Sequence, residues 1–156
     1  MSVSVLTLVR GRRAHLLNLI AGLNASTRKP DELVVAYMQD APHADLPATD
    51  FPMRNVFVEG DEMPLAAARN RAAATAVGEQ LIFLDVDCVP SPTLVERYAE
   101  TAGWPGGIRL GEVLYLPAGA IDGAIDVDAL DRIGVRHPAK PPIATDEIRP
   151  TPSHGE

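Results

Sequence analysis

A chain of 156 residues, of which 46% are hydrophobic, can bury one core of ordinary size, so one main domain is the first expectation. The net charge of -7 argues against a nonspecific nucleic-acid binder, and the single cysteine, Cys88, excludes an internal disulfide and a cysteine-based zinc site. The apolar runs are far shorter than the ~20 residues that cross a bilayer. We therefore expect a cytoplasmic chain with no transmembrane segment and no nucleic-acid partner.

Short apolar runs alternate with helical patterns along roughly the first hundred residues. Strands are predicted at residues 2–9, 33–38, 55–58 and 81–84, and helices at about 12–26, 64–78 and 91–102. Each strand segment is apolar on both faces, as expected for strands that helices cover on both sides. The alternation predicts an α/β fold with a mostly parallel sheet and helices on both faces.

After residue 103 the pattern weakens, with one predicted strand at 112–116 and a short helix near 126–133. The segment from Pro138 onward holds five prolines and no aromatic residue, so it cannot bury much surface against the entropy of ordering it. We expect an α/β domain over residues 1–134 and an extended tail over 135–156. The loop 39–53 is long enough to carry a function.

The stretch QLIFLDVDCVPSP, residues 80–92, places Asp85 and Asp87 at the end of a buried strand. In open α/β sheets, ligands bind beyond the carboxyl ends of the strands. Two carboxylates at i and i+2 point to one side of an extended segment, so one can bind a divalent cation and the other a sugar or ribose hydroxyl. Taken alone, however, a pair of aspartates at this spacing is more often two ordinary acidic residues of a turn than a ligand-binding site.

The preceding helix strengthens the functional interpretation. It carries Arg69 and Asn70 near its start, and it follows a predicted strand directly, so its first turns lie at the same edge of the sheet. A cation and an amide there could hold a diphosphate or a sugar. A second basic run, RGRR at 10–13, could meet a phosphate or merely flank a helix, and a solvated face is the favoured interpretation.

These segments resemble the N-terminal half of the family 2 glycosyltransferases of the GT-A fold. The resemblance rests on VSVLTLVRGRRAHLLNLIAGL, KPDELVVAYM and PLAAARNRAAATAVGEQLIFLDVDCVPSP, and covers roughly residues 2–102. It implies a UDP- or GDP-linked sugar donor, with Asp87 binding Mn2+ or Mg2+, Asp85 on the ribose or sugar, and Arg69 and Asn70 lining the donor pocket. It also implies inverting transfer of the sugar to a hydroxyl acceptor of unknown identity.

Two positions depart from the family pattern at the predicted nucleotide site. Tyr37 stands in the segment where the family usually has an aspartate pair that contacts the base. Arg10 lies near the position of a usual proline at the end of the first strand, and it is a candidate contact to the nucleotide. We therefore treat Tyr37 and Arg10 as candidate residues of the donor site.

The segment 103–156 matches neither the acceptor half of the family nor its catalytic base. The available carboxylates there are Glu112, Asp122, Asp126 and Asp128, and no spacing marks any of them as the base. Solvated surface charge is their favoured interpretation, so the catalytic residue stays unassigned.

Two alternatives stay open at this point. The chain could be a non-catalytic nucleotide-binding remnant or a truncated fragment, because the second half of the family is not found. FLDVDCV also matches the pattern of haloacid-dehalogenase-like phosphatases, with the first aspartate as nucleophile. That second alternative ranks lower. A phosphatase of this class carries the motif on the first strand of its fold, whereas in this chain a full βαβ unit and more precede it.

Overall fold

The structure, a computed structural model, describes residues 1–60, 63–101, 107–136 and 138. The chain divides into two compact units, residues 1–107 and 108–156. The first unit contains β1 (Val3–Val9), α1 (Arg13–Asn24), β2 (Glu32–Tyr37), β3 (Met53–Phe57), α2 (Leu65–Thr75), β4 (Gln80–Phe83) and α3 (Leu94–Glu100). The predicted α/β class is confirmed, and the connection between β2 and β3 has no regular secondary structure, as expected for residues 39–53.

The four strands form one parallel sheet in the order β3-β2-β1-β4. The chain moves from β1 to β2 on one side, then returns through α2 to β4 on the other side of β1. The boundary between β1 and β4 is therefore the point where the strand order reverses. In open α/β sheets this reversal leaves a crevice at the carboxyl ends of the two strands, and ligands bind there.

Two apolar layers cover opposite faces of the sheet, which confirms helices on both sides. On one face, α1 and α3 pack against alternate residues of β1 and β2. On the other face, Ala68 and Ala72 of α2 pack against Leu6 and Val34 of the two central strands. The small alanine side chains let α2 approach the sheet closely, and fully burying each large apolar side chain stabilises the fold by roughly 1.5–3 kcal/mol.

The expectation that all four strands are covered on both faces is wrong for β3 and β4. Phe57 and Phe83 are each 44% exposed, and Leu81 is 36% exposed. Both strands lie at the edges of this sheet, and the apolar layers are centred on β1 and β2, whose residues are buried throughout. Apolar composition predicted strands correctly, but it did not distinguish central strands from edge strands.

The amino edge of the sheet holds a buried polar network around Glu32. Its Oε1 accepts hydrogen bonds from Ser4 Oγ at 2.6 Å and from the Val77 N–H at 2.7 Å. Arg54 Nε forms an ion pair with Oε2 at 2.8 Å, without the alignment of a hydrogen bond. Burial raises the pKa of Glu32, but the hydrogen bonds from Ser4 and Val77, the charge of Arg54 and the Gly78 N–H together hold it below the usual value.

Gly78 is required by this network for steric reasons. Its N–H donates to Ser4 Oγ at 2.9 Å, and a Cβ at this position would lie 2.5 Å from that oxygen and 2.6 Å from the Ser4 nitrogen. No side chain fits there. These contacts hold the turn before β4 against the starts of β1 and β2. They therefore keep β1 and β4, the two strands at the predicted site, in register.

The second unit contains β5 (Leu114–Tyr115), α4 (Val127–Ile133) and β6 (Val135–Arg136), with β5 and β6 antiparallel. The predicted strand and short helix are present, and β6 was not predicted. The proposed boundary at residue 134 stays a prediction, and the expected extended tail lies outside the described residues apart from Pro138. Within the described part of the chain, no helix has both the length and the apolar character needed to cross a membrane.

Candidate functional site

The two aspartates follow β4 at the carboxyl edge, where strand order reverses. Val86 is 7% exposed and belongs to the core, whereas Asp85 and Asp87 on either side of it are exposed. The extended segment that the sequence predicted for the two aspartates is not present, because β4 already ends at Phe83. Asp85 opens a turn that contains Asp87, and the Cys88 N–H closes it by donating to the Asp85 carbonyl at 2.9 Å.

The segment after the aspartates is held by close contact with α1. A Cβ on Gly22 would lie 2.7 Å from Cδ and 2.9 Å from Cγ of Pro90, so the helix and the proline ring touch where only glycine fits. The Thr27 N–H donates to the Pro92 carbonyl at 2.9 Å. The aspartate turn is therefore held on the side of α1 by backbone contacts.

The turn between β1 and α1 brings a cation to Asp87. Gly11 and Arg12 both have left-handed backbone conformations, with φ of 61° and 50°. Arg12 Nη1 lies 3.0 Å from Asp87 Oδ2, and the two side chains are 58% and 50% exposed. Sequence reasoning assigned the basic run to a solvated face and missed Arg12. The available signal was its position, directly after a central strand at the edge that carries Asp87.

The loop after β2 contacts both backbone polar groups of Gly11 in this turn. The Gly11 N–H donates to Gln39 Oε1 at 2.7 Å, and His43 Nε2 contacts the Gly11 carbonyl at 2.6 Å. A carbonyl only accepts, so His43 carries the proton on Nε2 in this contact. Arg13 donates to the carbonyls of Ala44 and Asp45 at 3.1 and 2.9 Å.

Tyr37 at the end of β2 is fully buried beneath this loop. Its ring stacks on Phe57 at 5.6 Å between centroids and meets the edge of His43 at 5.7 Å. Burial raises the pKa of its phenol, and the nearby backbone of His43 offsets this in part. Among the residues that the structure describes, none meets the geometry of a hydrogen bond to the hydroxyl, which is a costly state for a buried polar group.

The remaining sequence-predicted residues lie on the surface of the first unit. Arg10 follows β1 directly and is exposed, and Arg69 and Asn70 are exposed in the second turn of α2. Among the described residues, neither Arg69 nor Asn70 has a hydrogen bond or ion pair to Asp85 or Asp87. The structure thus joins Asp87 to Arg12 directly and leaves the two α2 residues without a contact to the aspartates.

Nothing in the described ranges gathers three or more His, Cys, Asp or Glu side chains that could hold a metal ion. Asp85 and Asp87 supply only hard oxygen donors, which suit Mg2+ or Mn2+, but such ions keep water and substrate phosphate as further ligands. The two carboxylates therefore fit a metal ion whose remaining coordination positions are filled by water and a bound ligand.

Burial, followed by the charges of Asp85 and Asp87, raises the pKa of the Cys88 thiol, so this thiol remains protonated at neutral pH.

The second unit offers no comparable arrangement within its described residues. Asp126 Oδ1 accepts from the Ala129 N–H at 3.0 Å and caps α4, while Glu112, Asp122 and Asp128 are exposed. A cavity of ≈ 230 Å³ lies beside the first turn of α4, and Asp122 and Asp126 are its only acidic lining residues. Nothing in this geometry marks a catalytic base.

Comparison with known proteins identifies a family. No curated protein matches the sequence. The model of the family described as "Glycosyl transferase family 2" matches residues 4–108, which is more than half of the chain and includes every element of the first unit apart from Val3, the first residue of β1. The chain belongs to glycosyl transferase family 2.

Proposed function

We propose that the carboxyl edge between β1 and β4 binds the nucleotide diphosphate of a UDP- or GDP-linked sugar. The family supports a nucleotide-sugar-binding domain of the glycosyltransferase type. The observation that carries the more specific proposal is the pair of exposed carboxylates, Asp85 and Asp87, at the point where strand order reverses. A ligand there meets the ends of both strands and the turns that follow them.

Asp87 is the proposed metal ligand, and Asp85 the proposed contact to the ribose or sugar. A bound Mn2+ or Mg2+ would neutralise charge on the diphosphate leaving group. The chain's own contribution is to hold both carboxylates exposed on one turn, which the hydrogen bond from Cys88 to the Asp85 carbonyl closes. Val86 anchors that turn in the core, and Pro90 packs against Gly22 behind it.

Arg10, Arg69 and Asn70 are proposed donor contacts, because exposed cations and amides can pair with phosphate and sugar oxygens. Tyr37 enters the proposal differently, since its ring is buried. Its unpaired hydroxyl is a group that a bound base could satisfy once His43 moves aside. The proposal therefore includes a movement of the loop after β2 at the base end of the site.

Where the catalytic half of the family is present, the proposed reaction is an inverting sugar transfer. An acceptor hydroxyl oxygen bonds to the anomeric carbon as the bond to the diphosphate oxygen breaks, and a carboxylate base takes the hydroxyl proton. No described carboxylate of this chain is assigned as that base. The phosphatase alternative is not supported, because the aspartate motif follows the fourth strand rather than the first.

Isothermal titration calorimetry with UDP and GDP, with and without Mn2+, tests the donor site. We expect weak binding of Mn2+ alone, because two carboxylates are a sparse ligand set, and mutual strengthening when metal and nucleotide are both present. By linkage, Mn2+ must tighten nucleotide binding by the same factor that nucleotide tightens Mn2+ binding, typically about 5- to 150-fold.

The Asp87→Ala variant should abolish this coupling, and Asp131→Ala removes the same charge from an exposed position on α4 of the second unit as a control. Nucleotide binding that is indifferent to both metal and Asp87 would contradict the proposed metal role and leave a nucleotide-binding domain without the metal function. Release of phosphate from a generic phosphomonoester would point to the phosphatase alternative instead.

A further inference from the structure

We propose that Arg12 exchanges partners during donor binding, pairing with Asp87 in the free protein and with the donor diphosphate in the complex. This inference rests on the proposed donor site and adds a residue that the family resemblance did not assign. It has two consequences of opposite sign. Arg12 weakens the binding of a metal ion alone, and it strengthens the binding of the nucleotide diphosphate.

The contact between Arg12 and Asp87 joins residues 75 positions apart across the boundary between β1 and β4. At 3.0 Å it places a guanidinium on the carboxylate that is the proposed metal ligand. A cation cannot approach Oδ2 at bonding distance while the guanidinium occupies that position, because the two positive charges repel each other. Metal binding through Oδ2 therefore requires that Arg12 moves away, and a metal ion on Oδ1 would still be repelled by the nearby guanidinium.

Such a movement is inexpensive, because both side chains are at least half exposed and water can replace the partner of each. Exposed ion pairs contribute little to stability. A diphosphate offers more negative charge than one carboxylate and accepts charge-assisted hydrogen bonds from the planar guanidinium. The arginine therefore gains by transferring to a donor that arrives with its metal ion.

The backbone shows that this position of Arg12 is imposed rather than relaxed. A left-handed conformation is unfavourable for a residue with a side chain, and Arg12 adopts it with φ of 50° and ψ of 37°. Gln39 and His43 hold both polar groups of the neighbouring Gly11, which fixes the turn in this form. Strain that is held by surrounding contacts is characteristic of functional sites. Gln39 and His43 are positioning residues in this arrangement.

The test compares wild-type protein with Arg12→Gln, using electron paramagnetic resonance to titrate Mn2+ alone and calorimetry to titrate UDP in the presence of Mn2+. Without the competing guanidinium, Mn2+ alone should bind up to about fivefold more tightly, which is the most that an exposed ion pair supplies. UDP with Mn2+ should bind about tenfold or more weakly, because a charge-assisted hydrogen bond to phosphate is lost.

Arg28→Gln is the matched control. It removes the same charge, but Arg28 donates to the Met1 carbonyl before β1, at the amino edge, so neither affinity should change. Arg12→Lys keeps the charge without the planar fork, and we expect it to fall between wild type and Arg12→Gln. Thermal unfolding of each variant confirms that the exposed substitution leaves the fold intact.

The outcomes separate this inference from the proposed function. Opposite shifts of the two affinities in Arg12→Gln support the exchange of partners. If wild-type protein shows coupled binding of metal and UDP, but Arg12→Gln leaves both affinities unchanged or weakens both, the donor site stands and the exchange is refuted. If wild-type protein shows no coupling that depends on Asp87, the proposed metal site fails and the role of Arg12 fails with it.

Discussion

The substitution Glu32→Gln is expected to lower the free energy of unfolding by about 3 kcal/mol, because removing one partner of a buried ion pair typically costs 3–5 kcal/mol. The lower end applies here, since Arg54 is 49% exposed and water can solvate its charge once the carboxylate is gone. Glu32 itself is 2% exposed and ties the starts of β1, β2 and β3 to the turn before β4.

The acid sensitivity of the fold should change in the same variant. The pKa of Glu32 is lowered in the folded protein from its ordinary value of 4.5, so the unfolded chain binds more protons over the range between the two values. Stability therefore rises with pH in that range. The contribution of Glu32 is fully present above 4.5 and is lost as pH falls through the lower, folded-state pKa.

Urea unfolding of wild type and Glu32→Gln at pH 7 and at several values below 4.5 measures both effects. The difference between the two proteins should shrink as the pH falls. Glu59→Gln is the matched control, because Glu59 is exposed and the same change of charge should alter stability by less than about 0.5 kcal/mol. A constant difference across the pH range would show that Glu32 acts through packing rather than through its charge.

The fold could be predicted from sequence because burial on both faces leaves a simple signal. Residues of β1 and β2 are buried without interruption, and their mostly apolar segments predicted strands of a parallel sheet. The same signal misled for β3 and β4, since Phe57 and Phe83 are apolar yet substantially exposed. Position within a sheet depends on the order of the strands, which periodicity does not encode.

The candidate site was predictable where it depends on strand ends and not where it depends on turns. Asp85 and Asp87 could be predicted as site residues because they come directly after an apolar strand segment. Arg12 required knowledge that β1 neighbours β4 and that Gly11 and Arg12 both turn left-handed, and a local sequence pattern specifies neither. The contacts of Gln39 and His43 with Gly11 join residues about thirty positions apart in the sequence, and such contacts emerge only from the fold.

Gly22→Ala is the second substitution with a large expected effect, because it inserts a methyl group where α1 meets the aspartate turn. At an exposed helix position, alanine is favoured over glycine by about 1 kcal/mol. Here the new Cβ would lie 2.7 Å from Pro90 Cδ and 3.1 Å from its carbonyl oxygen, so the buried proline must move. Overpacking of this kind costs up to about 3 kcal/mol. With the gain in helix propensity subtracted, we expect a net loss of up to about 2 kcal/mol in urea unfolding.

Pairing this variant with Pro90→Ala tests the cause. Alanine removes Cγ and Cδ of the proline ring, so the double variant should be more stable than the sum of the single effects predicts, by about 1–2 kcal/mol. Ala21→Gly on the exposed side of α1 serves as the reverse control and should cost about 1 kcal/mol through helix propensity alone.

The functional consequence follows from the short distance along the chain between Pro90 and the carboxylates. Any shift of Pro90 propagates to Asp87, three residues earlier, whose carboxylate must meet both Arg12 and the proposed metal ion. Gly22→Ala should therefore weaken the coupling between Mn2+ and UDP, and Pro90→Ala should restore part of it in the double variant. If Gly22→Ala instead raises stability by about 1 kcal/mol, as at an exposed helix site, and leaves the coupling unchanged, α1 does not set the position of the aspartate turn.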